Sequence, residues 1–193
     1  MLKNLFLRLL ETLHGVRDLA LLNPRWTKRV GNDRFALGLA VLLQLIGIPV
    51  GAATEKATSP LGLVLSYPDR VLLNALAFLV TVVVVYLLAA LRRKRQYFPR
   101  LFAGLVYAFM LIALVMTGVE LGLHHPLQDV PVSSVDTYHL ALIMVAFWML
   151  VQISFVFKAA LEIGAACSLA FTAVLIFCTV MVDSLMQMYV LGH

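Results

Sequence analysis

Residues Val71 to Leu91 run for 21 positions without one charged side chain. A helix rises about 1.5 Å per residue, so roughly 20 apolar residues cross the ~30 Å of hydrocarbon in a bilayer. Inside that layer no water is available to the backbone, and each peptide group must bond within its own segment or within a closed barrel. The run contains Thr81-Val82-Val83-Val84-Val85, which in water would favour a strand. Bilayer burial reverses that preference, and the segment is expected to be helical.

Four further apolar stretches share this character, at about 36–53, 101–123, 138–157 and 164–191. The chain is 62% hydrophobic and 13% charged, against about 45–50% and 25% for soluble domains. We therefore expect an all-α fold, a polytopic membrane helix bundle of five transmembrane helices. Its 193 residues leave no room for a second folded domain. Residues 1–35 form a separate leading segment and 36–193 the five-span domain. The net charge of +5 sits beside the spans, which fits topology and anionic headgroups better than nucleic acid. Cys167 and Cys178 fall in one span about 16 Å apart along a helix, beyond disulfide reach.

The loop Arg92-Arg93-Lys94-Arg95-Gln96-Tyr97-Phe98-Pro99-Arg100 holds five of the fifteen basic residues. Short basic loops resist translocation, which assigns this one to the cytoplasm. Seven more basic residues, including Arg25, Lys28 and Arg29, precede the first span. That places the N-terminus inside and, after five crossings, the C-terminus outside; in a bacterium this is the inner membrane. The segment Thr54 to Arg70, with Pro60 and Pro68, reads as an external loop. Lys158 and Glu162 mark a tight internal turn that makes the last two spans antiparallel neighbours.

Leu2, Leu5, Phe6, Leu9, Leu10 and Leu13 recur at helical spacing, with Lys3, Asn4, Arg8, Glu11 and Thr12 opposite. Residues Leu2 to Leu21 are thus an amphipathic helix, lying in the membrane interface or packed on the inner ends of the bundle. Charges interrupt its apolar positions, so it is not a cleavable signal sequence. Asn23-Pro24 ends it, because the residue before proline is driven from helical geometry.

Candidate chemistry is sparse. Glu120 and His124, four residues apart, share a helix face. With His139 and Asp183 they fall near the outer boundary and could form a cation or proton site; as solvated interface residues they would bond water and headgroups instead. No ligand spacing defines a metal centre, and no cofactor or catalytic residue is expected. Gln44, Asn74, Gln152, Ser154 and Ser168 lie deeper, where interhelical hydrogen bonding is the ordinary role of such groups. Gly47 and Gly51 around Pro49, and Gly118 with Gly122, allow close helix approach within the chain or between copies.

In segment order the chain resembles the Yip1 family of five-span membrane proteins. The resemblance rests on the lead-in Leu22-Asn23-Pro24-Arg25-Trp26, the aromatic entry Tyr97-Phe98-Pro99-Arg100-Leu101-Phe102 with Tyr107, and the terminal hairpin. Phe109-Met110-Leu111 lacks the proline that often follows the tyrosine in that family. The resemblance implies a non-enzymatic protein: a scaffold, assembly factor or accessory subunit bound to the bilayer and to a membrane-protein partner or a second copy. Arg92, Arg93, Lys94, Arg95, Arg100, Arg25, Lys28 and Arg29 would meet the partner or lipid headgroups. The alternative is a small channel or transporter with an outer acidic and histidine vestibule.

Overall fold

A computed structural model describes residues 2–30, 34–54, 66–119 and 133–191. All regular structure among them is helical: α1 (Leu2–Ala20), α2 (Trp26–Val30), α3 (Arg34–Thr54), α4 (Tyr67–Leu91), α5 (Phe98–Val119), α6 (Ser133–Leu161) and α7 (Ala165–Leu191). A single 3-10 turn, Arg95–Tyr97, leads into α5. The helices α3 to α7 supply five segments long and apolar enough to cross a membrane. The chain is an integral, multi-pass membrane protein, and the valine-rich run of α4 is helical as expected.

Helices α4, α5, α6 and α7 form a ring in which α5 packs on α6 and α7 bridges α6 and α4. Helix α3 lies outside the ring, against α4 and α5. One correction concerns the start of α4. Tyr67, Pro68, Asp69 and Arg70 belong to the helix rather than to the preceding loop. The Ser66 hydroxyl accepts from the Asp69 backbone N–H (3.4 Å), and the Asp69 carboxylate accepts from the Ser66 backbone N–H (3.2 Å). This capping box satisfies two otherwise orphaned donors, and proline is tolerated in a first turn because no N–H is needed there.

The core is densest around the first half of α5, where every residue from Leu101 to Ala108 is buried. Burial on all sides arises because α1 and α2 cover the face left free by α3, α4 and α6. Trp26 is 0% exposed and seats its ring on Gly104; a Cβ there would lie 2.7 Å from Trp26 Cζ3 and 3.0 Å from Val156 Cγ1. Gly15 makes the matching concession on α1, where the Val30 side chain fills the space of a missing Cβ. Two buried hydrogen bonds extend the clamp. Tyr107 donates to the Ala36 carbonyl (2.8 Å) at the start of α3, and the Gln152 amide donates to the Ala20 carbonyl (3.1 Å) at the end of α1.

Three helices stop on a non-glycine residue in the left-handed region: Leu22 (φ 54°), Arg93 (φ 55°) and Glu162 (φ 52°). In each case the next backbone N–H bonds five residues back: Asn23 to Asp18, Lys94 to Ala89, and Ile163 to Lys158. This is the Schellman ending, which glycine normally serves because it lacks the Cβ penalty.

Two outcomes follow for the purified protein in detergent. Gly104→Ala forces Trp26 or Val156 to move and lowers stability by about 1–3 kcal/mol, read as a fall in Tm; adding Trp26→Phe restores part of the loss. Arg93→Gly relieves the backbone and raises stability by about 1 kcal/mol.

Candidate functional site

The basic loop divides into two sets of cations with different work. A helix C-terminus leaves its last carbonyls without partners and carries a partial negative charge. At the end of α6, Lys94 Nζ donates to the Leu161 carbonyl (2.6 Å) and Arg100 donates to that of Ala160. Both also pair with Glu162, at 3.7 Å and 3.4 Å, and both flank the Tyr97 ring, with the Arg100 guanidinium 4.6 Å from its centroid. Phe98, Pro99 and Arg100 belong to α5 rather than to the loop, so these two side chains tie the α4–α5 connection and the first turn of α5 to the α6–α7 turn. Arg29 is likewise engaged inside the chain: its Nε lies 3.4 Å from the buried Asp18 carboxylate and holds α2 to α1. By contrast, Arg92, Arg93, Arg95, Arg25 and Lys28 are exposed, and their side chains have no partner among the described residues.

Helix α1 packs on the bundle through a narrow strip in its second half, and Lys3, Asn4, Arg8 and Glu11 of its polar flank stay exposed. Thr12, Gly15, Asp18 and Leu19 are buried, while Leu5, Phe6, Leu9, Leu10 and Leu13 face away from the bundle, Phe6 at 64% exposure. The apolar stripe is therefore not consumed by packing within the chain.

The glycines separate in the same way. Gly51 lies against Asn74, where a Cβ would stand 3.6 Å from the amide nitrogen; Gly47 and Gly118 have nothing within 4 Å. Tyr67 reaches across to the Pro49 carbonyl at 3.4 Å, joining α3 to α4. Glu120, Gly122 and His124 lie outside the described residues, as does the Asp183 side chain. His139 is exposed on α6. Of the outer cluster read in the sequence, His139 alone has a described side chain.

A second locus was read in the sequence only as scattered packing groups. Between α3, α4 and α5 lies a cleft of about 200 Å³ lined by Gln44, Asn74 and Thr81 together with Phe78, Phe102 and Phe109. The Thr81 hydroxyl is bonded to the Ala77 carbonyl (2.9 Å), and Asn74 is engaged with the chain. Gln44, half-buried at the middle of α3, has no hydrogen-bond partner among the described residues. On the other side of the α4–α5 seam lies a half-open apolar pocket of about 190 Å³, bounded by Met149, Ile153, Leu175 and Val180. Thr81 and Phe109 line both spaces. Sequence alone offered Gln44 and Asn74 as isolated amides and Thr81 only as part of a β-branched run; their convergence depends on how α3 leans on the ring.

No protein-family model matches the chain, and no curated protein or solved structure does so either.

The division of the basic residues has a direct test. Hydrogen bonds to charged groups contribute about 1.5–3 kcal/mol, so Arg100→Gln and Lys94→Gln should each lower Tm clearly. Arg92→Gln and Arg95→Gln should leave it within the ±0.5 kcal/mol typical of surface changes.

Proposed function

We propose that this chain is a non-catalytic scaffold, assembly factor or accessory subunit of a membrane complex, similar in kind to the Yip1 family that its segment order resembles. The observation that carries this reading is the surface left over at the basic end. Arg92, Arg93, Arg95, Arg25 and Lys28 are exposed and unused within the chain, and α1 in the same half of the molecule presents an unburied apolar stripe. Cations near an anionic leaflet contribute about 1 kcal/mol each, and an amphipathic helix with its apolar side free lies naturally in the interface. The positive-inside rule assigns this end to the cytoplasm, with the C-terminus external and, in a bacterium, an inner-membrane location. The bilayer is one partner; a membrane protein or a second copy of the chain is the other, meeting open helix faces such as that at Gly118.

The test is purification from native membranes in mild detergent, comparing wild type with the Arg92→Gln/Arg93→Gln/Arg95→Gln variant. The expected result is a stoichiometric membrane-protein partner or ordered anionic lipid, identified by mass spectrometry, that the variant loses at nearly unchanged Tm. A homogeneous assembly of this chain alone that conducts protons or cations in liposomes would overturn the reading.

A further inference from the structure

We propose that the cleft between α3, α4 and α5 binds a neutral, ring-headed lipid of the membrane phase. The chemistry is that of a carbonyl-bearing ring on a long apolar tail, as in the isoprenoid quinones. The Gln44 amide is the polar contact, and the tail passes the α4–α5 seam into the apolar pocket beyond it.

The argument begins with the cost of Gln44. A primary amide transferred from water to a medium that cannot hydrogen-bond loses several kcal/mol unless a partner compensates. Asn74 and Thr81, on the same cleft, have bonds within the chain; Gln44 has none among the described residues. It stands about 15 Å along α3 from Arg34, far from the helix ends where a polar side chain could reach headgroups.

The space in front of Gln44 has the right size for one ring. An apolar cavity of about 150 Å³ is enough to hold benzene, and this cleft measures about 200 Å³. Its walls are suited to a planar, uncharged head: Phe78, Phe102 and Phe109 supply aromatic faces and edges, and no charged residue among the described residues lines it. An ammonium or carboxylate head would find no counter-ion there, which argues for a neutral ligand. A carbonyl oxygen is the natural mate of the amide N–H₂.

The tail has somewhere to go. Thr81 and Phe109 form the boundary shared with the second cavity, whose remaining walls are aliphatic apart from Thr179. The Thr179 hydroxyl is bonded to the Leu175 carbonyl (2.8 Å), so this space offers apolar surface to a chain. A polar-lined cleft that shares Thr81 and Phe109 with an apolar pocket, both between spanning helices, suits a ring-headed lipid better than a plain acyl chain.

Two substitutions probe the site independently. Gln44→Met removes the hydrogen bond at nearly constant volume. Gly47→Leu fills the cleft, since a Cβ at Gly47 meets nothing within 4 Å. The probe is a benzoquinone carrying a decyl tail, titrated into the detergent-purified full chain by calorimetry and followed by the rise in Tm, with decanol as the ringless control. The expected result is saturable binding by wild type, weakened about tenfold by Gln44→Met and abolished by Gly47→Leu, with both unliganded variants as stable as wild type. Equal binding of decanol, absence of saturation, or wild-type affinity in Gln44→Met would overturn the proposal. Should Gly47→Leu fail to fold, Gln44→Met and the decanol control decide the question alone.

Discussion

The enclosure of α5 depends on the missing side chain of Gly104. Because nothing projects there, the indole of Trp26 can lie directly on the helix backbone, with Val156 closing the other side. The small α2 helix that carries Trp26 therefore becomes part of the core, and the segment before the first span is not a loose tail. The Trp26 N–H has no hydrogen-bond partner among the described residues, a cost of about 1–3 kcal/mol. A fully buried large ring is among the few groups whose apolar contact can offset that. The Tyr107 and Gln152 hydrogen bonds then fix where α3 starts and where α1 ends, both relative to α5 and α6.

The positive charges are not one functional patch. A tight hairpin between α6 and α7 exposes carbonyls at the very end of a helix, and in a membrane protein those groups need donors. Lys94, before α5, and Arg100, in its first turn, provide them, with Glu162 completing the neutralisation. The Ser154 and Ser168 hydroxyls, 3.0 Å apart, and the edge-on rings of Phe157 and Phe171 lock the same hairpin a little further along. Arg92, Arg93, Arg95, Arg25 and Lys28 are the cations of this end that no carbonyl or carboxylate among the described residues claims.

The position of α3 has the opposite consequence. Helix α3 joins the ring from outside and contacts only the α4–α5 edge closely, so its inner face meets a seam and not a flat wall. Aromatic contacts draw α4 and α5 together toward the basic end, Tyr86 on Phe98 and Phe78 on Phe102. Spaces open on both sides of the seam further along, near Thr81 and Phe109. Imperfect closure at one edge thus creates a polar-lined cleft in a molecule whose helices otherwise display side chains suited to lipid.

The five spans, the helical state of the valine run, the amphipathic α1 and the tight terminal hairpin were all legible in the linear pattern. The spans and the valine run follow from the rule that a peptide group in hydrocarbon must bond its near neighbours. Helix α1 follows from helical periodicity, and the hairpin from the few residues between the last two apolar runs. The start of α4 was misjudged because Pro68 reads as a breaker until the Ser66–Asp69 capping box makes it a first-turn residue. Three further features depend on residues distant in sequence: the use of Lys94 and Arg100 as caps for α6, the meeting of Trp26 with Gly104, and the convergence of Gln44, Asn74 and Thr81. By itself the sequence determined that this is a chain of five membrane-spanning helices, because hydropathy and backbone bonding act within a segment. Only the tertiary structure decided which charges are occupied, which glycines are filled and where a polar space remains, because those depend on the packing of one helix against another.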